Sequence, residues 1–274
     1  MVSRVLLATE GLTLGEFLCA SGDRLWDEVN DIGSRAHVVF PRTRVLIAQD
    51  GAHPVLATPN HIVFYRPHQR YRRGLRDTRG DRSLWLEVAG ELPAQPPAAP
   101  SAAGTYLLAV GLARYVAEPE HDRLLAEETA FELLGRAVAS APRRADARRA
   151  RTRADHAALA AAAQALLAAR MAERLSLASL AAALHVSPFH LARVFRARTG
   201  FSLSGYVHGL RLRAAVDRLA ADPGTDLSRL AVELGYYSPS HFCDRFRAMF
   251  GRPPSALRGA ELRTIVEAAR ALPA

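Results

Sequence analysis

The amino-acid sequence predicts an α+β, multidomain protein: an antiparallel β-barrel or sandwich first, a helical connector second, and an all-α C-terminal domain with two helix-turn-helix units third. Three observations carry this prediction. From residue 1 to about 90, short apolar or alternating runs are separated by Gly, Pro, Asn and Asp at the spacing of an all-β domain. Beyond residue 104 the apolar period becomes helical. A Ser-Pro-x-His-x-x-x-x-Phe-Arg pattern starts at Ser187 and again at Ser238. With 274 residues, 49% of them apolar, the chain has room for two cores.

The β runs, in order, are EFLCA, AHVVF, RVLIAQ, HPVLAT, HIVFY and SLWLEVA, which place a β domain over 1–91. Trp26 and Trp85 are expected to fill its core. LPAQPPAAPSAAG, residues 92–104, reads as a linker, because its prolines cannot hold a regular ladder. TYLLAVGLARYVA and EHDRLLAEETAFELLGRAVAS follow as two amphipathic helices. In the second, Leu124, Leu125, Phe131, Leu134 and Val138 form an apolar face for either their own domain or a second subunit. Residues 142–153 carry six Arg and one Asp, net +5, and read first as a solvated helix or linker, second as a phosphate contact. Linker and connector together span 92–154. Helix-sized segments then lie near 155–172, 176–184, 187–198, 203–220, 226–234, 238–249 and 261–271, in a domain over 155–274.

Composition narrows the function. The formal net charge is +9 and all 36 basic residues are Arg, a balance that favours polyanions such as nucleic acid. Cys19 and Cys243 are far apart in sequence and supply neither a disulfide framework nor a metal cluster, as suits a reducing cytosol. The N-terminal stretch lacks a signal-peptide core, and no apolar run approaches the roughly twenty residues of a membrane span. A cytoplasmic protein without a membrane partner is expected.

The duplicated pattern has a physical parse. A shift of fifty-one residues superposes Ser187, Pro188, His190, Phe195, Arg196 and Gly200 on Ser238, Pro239, His241, Phe246, Arg247 and Gly251. In each copy a short helix (SLASLAAAL or DLSRLAVEL) precedes a Ser-Pro pair. Ser suits an N-cap and Pro the first helical position. Gly235 offers a left-handed stop to the first helix of copy two, whereas copy one has His185 and must turn without glycine. Helix, short turn, helix is the helix-turn-helix arrangement.

On a helical wheel Leu191 and Phe195, and Phe242 and Phe246, face the core with Met249 and Phe250. Phe189, Ala192, Arg193 and Arg196 of copy one then face outward, as do Ser240, Cys243, Asp244 and Arg247 of copy two. Core positions repeat while outward positions differ. Two readers that face different stretches of a major groove would show this; two structural hairpins meeting water would not require Phe or Ala outside.

From about 170 to 258 the sequence resembles the DNA-binding domain of AraC/XylS-family transcription regulators. SPFHLARVFRARTGFSLSGYVHGLRLRAAVDRLA is similar to that family's first recognition helix and connecting helix, and LAVELGYYSPSHFCDRFRAMFGRPPSALR to its second-unit signature. The resemblance implies that two recognition helices enter successive major grooves of double-stranded DNA. By position, Phe189, Ala192, Arg193, Ser240, Cys243 and Asp244 would lie at base edges, with Arg193 able to bond guanine O6 and N7. Ser187, Arg196, Ser238 and Arg247 would meet phosphates. Asp244 either accepts from cytosine N4 or pairs with Arg245 or Arg247. Cys243 is a small contact residue, with oxidation as the alternative role. The resemblance further implies a cupin-like antiparallel β-barrel at 1–91 that senses an effector or dimerises, a homodimer, and RNA polymerase as a partner.

The N-terminal region lacks the His-x-His, Glu, His series of metal-binding cupins; His37, His53, His61 and His68 stand singly, and no metal or cofactor is expected. Residues 61–82 hold seven Arg and two Asp, net +5, and read first as a solvated hairpin rim, otherwise as a clamp for an anionic effector through Arg70, Arg72 and Arg73 or a docking surface for DNA or the acidic helix 118–132. The leading reading is thus a sequence-specific, effector-responsive transcription regulator rather than an enzyme. Two alternatives stand beside it: a cupin-type enzyme with a DNA-binding tail, which finds no metal triad, nucleophile signature or phosphate loop here, and an architectural nucleic-acid protein.

Overall fold

The structure, a computed structural model, describes residues 2–23, 26–119, 121–140, 150–173, 175–258 and 260–272. The Arg block at 142–153 lies largely outside the described residues, as do its side chains.

Among the described residues nine strands fill the N-terminal third: β1 Val2–Ala8, β2 Leu12–Cys19, β3 Val29–Asp31, β4 Ala36–Pro41, β5 Val45–Gln49, β6 Val55–Ala57, β7 His61–Tyr65, β8 Arg70–Leu75 and β9 Asp81–Val88. With β10, Ala98–Pro100, they form two antiparallel sheets, in orders β1-β2-β9-β4-β7-β10 and β3-β8-β5-β6. Besides β10, three strands escape the sequence reading. β1 is an edge strand with most of its residues exposed, β3 is three residues long, and β8 carries the Arg run, which masks its alternation.

The proline linker corrects an expectation. Ala98, Ala99 and Pro100 pair with Val63, Ile62 and His61, so this stretch does hold a ladder. It does so as the outermost strand, where a missing N–H costs nothing.

Cross-strand register explains the layering. Leu14, Leu86, Val38 and Phe64 lie opposite one another in successive strands and face one core, which they share with the helices α1 Ala103–Tyr115, α2 Arg123–Ala139 and α9 Leu262–Arg270. Gly15, Trp85, Val39 and Val63 are paired in the same order on the other face and look toward the four-stranded sheet. β7 is sandwiched between these layers, which is why all five of its residues are buried.

Trp26 and Trp85 do not fill the core as expected; both are half-buried. Trp85 lines a cavity between the sheets, and it lies across Gly15 so closely that a Cβ there would stand 2.1 Å from its ring. Trp26 packs at the edge of the same layer and donates its Nε1 to Ala20 O at 3.0 Å.

The C-terminal region is helical: α3 Ala150–Ala169, α4 Leu177–Ala183, α5 Pro188–Thr199, α6 Leu203–Ala221, α7 Leu227–Glu233, α8 Pro239–Phe250, a 3-10 turn Pro254–Leu257, and then α9. α6 passes through two cores. Tyr206, Val207 and Leu210 join α3, α4 and α5, while Leu212, Ala215, Val216 and Leu219 join α7, α8 and α1.

One face of α6 also docks on the sheet domain. Arg213, 1% exposed, donates to Asn60 Oδ1 at 2.8 Å and to Ser101 O, and Asn60 Nδ2 donates to Tyr206 O at 2.9 Å. Asp217 accepts from the Tyr106 hydroxyl at 2.8 Å and pairs with Arg42 at 2.7 Å. A buried cation is tolerable only with such partners. Nearby, burial and the Arg213 charge push His61 down to about 4, so its imidazole is neutral between Thr58 and Gln164. Among the described residues no helix is long and apolar enough to cross a membrane.

Candidate nucleic-acid interface

The local chemistry of the duplicated pattern is the same in both copies. The Ser187 and Ser238 hydroxyls accept from the amides of His190 and His241, each at 3.2 Å, and Pro188 and Pro239 occupy the first turn. Each helix ends on a left-handed glycine, Gly200 at φ 78° and Gly251 at φ 71°, whose amide returns to Arg196 O or Arg247 O. These ends satisfy amides and carbonyls that a free helix leaves orphaned.

The turn before each helix also repeats. Val186 N donates to Ala181 O at 3.0 Å and Tyr236 N to Ala231 O at 2.9 Å. His185 adopts φ 55° where copy two has Gly235 at φ 76°, so the first copy takes the same left-handed turn with a side chain present.

The inward faces are aromatic and aliphatic. Leu191, Val194 and Phe195 are buried in α5, with Phe195 edge-on to Tyr206 at 5.5 Å. Phe242, Phe246 and Phe250 are buried in α8, while Met249 is only half-buried. Val194 is buried as well, although the wheel left it unassigned. Around α8 the rings of His208, Tyr236 and His241 contact one another, and burial followed by the charges of Arg245 and Arg211 pushes His208 down to about 4.

Six of the eight residues expected outside are exposed, and the other two, Ala192 and Cys243, are half-buried. Phe189 is 77% exposed, Arg193 and Arg196 are exposed, and Ala192 is half-buried. On α8 Ser240, Asp244 and Arg247 are exposed and Cys243 is half-buried. Asp244 points away from the core, while Arg245, one of its two candidate partners, donates its Nε to His241 Nε2 at 3.3 Å. Ala192 and Arg196 border a groove of about 530 Å³ that runs past His208 and Arg211 to Gly235, between the two copies.

The three clamp residues do not converge. Strand alternation turns Arg70 and Arg72 outward, where Arg72 donates to Asp27 O at 3.0 Å. Arg73 turns inward, 3% exposed, to Asp81 at 3.4 Å and against the Phe17 ring at 4.5 Å. A clamp of all three on one anion is therefore replaced by a single buried guanidinium at the inter-sheet cavity. His37 lines that cavity near Glu87.

Sequence reading missed Arg211, Arg213 and Asn60. The only local signal lies in GLRLRAAVDRLA, where Arg211 and Arg213 alternate with apolar residues, and it does not name the distant acceptors that bury them.

This part of the chain is similar to known proteins. A helix-turn-helix domain family matches residues 180–260. The HTH-type transcriptional regulator GlxA of Rhizobium meliloti is 35% identical over 89 residues, 32% of this chain and 26% of its own; the chain thus spans about a quarter of that curated relative. A DNA-binding transcriptional dual regulator from Escherichia coli K-12 is 26% identical over 37% of this chain and 95% of its own, TM-score 0.33. A transcriptional regulator with an AraC-type DNA-binding domain, from Chromobacterium violaceum, is 27% identical over 39% and 94%, TM-score 0.35.

Proposed function

We infer that this chain, whose residues 180–260 form a helix-turn-helix domain of the AraC/XylS type, is a sequence-specific DNA-binding transcription regulator. One observation carries the reading: α5 and α8 share cap, stop and core, yet present different exposed faces. Each α4–α5 and α7–α8 pair acts as one helix-turn-helix unit and enters one of two successive major grooves. Phe189, Ala192 and Arg193 read base edges in one groove, and Ser240, Cys243 and Asp244 in the next. Ser187, Arg196, Ser238 and Arg247 sit against phosphates.

The sheet domain, 1–91, is cupin-like in this reading and senses a small effector in the cavity of about 360 Å³ between its sheets. Tyr65, Tyr71 and Trp85 line the cavity, with Arg73 and Asp81 as its charged pair. The 92–154 connector passes the effector state to the 155–274 reader. Exposed Leu124 and Phe131 on α2 provide a homodimer face, RNA polymerase is the downstream partner, and the setting is the cytoplasm; catalysis is not assigned.

Selection of duplexes from a random pool by the full chain tests the reading. One asymmetric site with two base sets is expected; recovery of random sequence would instead mean architectural binding. Arg193→Ala should cost about 1–3 kcal/mol on the selected site and relax a single base pair.

A further inference from the structure

The two helix pairs are joined by more than α6. Arg211 is buried midway along that helix, and its guanidinium bonds three backbone carbonyls that belong to different parts of the reader. Nε donates to Met171 O at 2.5 Å and Nη2 to Glu173 O at 2.8 Å, both just past the end of α3. Nη1 donates to Gly235 O at 3.0 Å, in the turn between α7 and α8. Its plane also lies 5.5 Å from the Tyr236 ring.

The same two backbone segments touch directly. A Cβ on Gly235 would stand 2.2 Å from Ala172 O and 2.7 Å from the Ala172 carbonyl carbon. The α3 end belongs to the first helix pair through Leu167 and Met171, and the Gly235 turn belongs to the second through Leu234 and Tyr236. Thus a short bridge closes the angle between the pairs, which α6 alone would leave free to bend. A planar fork with fixed donors suits this task, because it holds several acceptors at once.

We propose that Arg211 is a specificity-determining positioning residue: by clamping the 171–173 turn to the Gly235 turn it fixes the separation of α5 and α8, and so the spacing between the two base sets that the protein accepts. The proposal rests on the reading of α5 and α8 as DNA readers. One base pair of extra spacer moves the second site by about 3.4 Å along the duplex and rotates it by about a tenth of a turn. A rigid reader rejects that displacement, and a hinged one follows it.

The test uses the full chain. Duplexes carry the selected site with its spacer lengthened or shortened by one base pair. The parent should bind these about tenfold or more weakly than the native spacing, and Arg211→Met only two- to threefold or so. Each base set should keep its own preference. Spin labels at Ala197→Cys and Ala248→Cys, exposed sites on α5 and α8, give a readout without DNA, and the distance distribution should broaden in Arg211→Met.

An unchanged spacing profile with uniformly weaker binding overturns the proposal, as does an unchanged label distance. Should Arg211→Met fail to fold, Arg211→Lys and Gly235→Ala decide by the same profile, and a parental profile in both overturns the proposal. A parent that selects no duplex at all overturns the DNA reading instead, a result distinct from any of these.

Discussion

The two helix pairs reach one backbone by different residues. Both carry a Ser cap, a first-turn Pro, a buried Phe and a left-handed terminal Gly. At the turn, however, His185 is exposed at φ 55° whereas Gly235 at φ 76° is pressed against Ala172. A left-handed conformation is therefore not what demands glycine here. Close approach is, and it arises only in the second pair, whose turn docks on the first pair. The glycine marks a junction between units rather than a feature of each unit.

The largest expected effect follows from that contrast. Gly235→Ala combines left-handed strain with a contact that only backbone movement can relieve, and should lower unfolding free energy by about 2 kcal/mol or more. His185→Gly removes a strained side chain at an open site but adds chain entropy to the unfolded state, so the net change should stay within about 1 kcal/mol. Thermal unfolding of the two variants beside the parent measures both. Equal costs would mean that the turns are equivalent and that the Ala172 contact carries no weight.

Legibility of the sequence divides along the same line. Features set by a few neighbours were readable: the caps, the first-turn prolines, the helix spans and the outward positions of α5 and α8 all follow from local spacing. Features set by distant chain were not. Pro100 becomes a strand residue only because β7 offers it an edge, and Arg73 turns inward only because β8 alternates against β5. Arg211 and Arg213 resemble surface charges until the carbonyls of Met171, Glu173, Gly235 and Ser101 come to them. The inner face of α2 is likewise Ala126, Thr129, Ala130 and Ala137 about Leu133, in the core that it shares with α1 and the six-stranded sheet. The larger Leu124 and Phe131 are left outside.

Acid sharpens the comparison with a smaller effect. The second pair leans on the neutral His208 imidazole, stacked on Tyr236 at 5.8 Å, whereas the first packs Phe195 and Phe201 around Tyr206. His208 titrates near 4 when folded against 6.5 when unfolded. Above 6.5 neither state takes the proton and stability is whole; as pH falls from 6.5 toward 4 only the unfolded chain gains it, and stability is lost. His61 acts in the same window at the junction with the sheet domain. His208→Gln should therefore make the decline in Tm across that window shallower, with His61 and His37, both also pushed down by burial, accounting for what remains. A decline as steep as the parent's would show that the aromatic cluster of the second pair tolerates a charged imidazole.

The smallest effect asks whether both pairs meet the duplex alike. Arg196 and Arg247 hold equivalent positions, about one turn beyond Arg193 and Asp244, and both are exposed. If each neutralises one phosphate, its replacement by Ala releases one counterion fewer on binding, and the slope of log Kd against log salt falls by about 0.9. The loss should be the same on every sequence, since a phosphate carries no base identity. Equal slope changes in Arg196→Ala and Arg247→Ala would mean that both helices sit at the same depth in their grooves. A change in Arg196→Ala alone would mean that α8, despite the shared cap and core, stands back from the backbone; Asp244, the acidic residue on its outer face, supplies the repulsion that would hold it there.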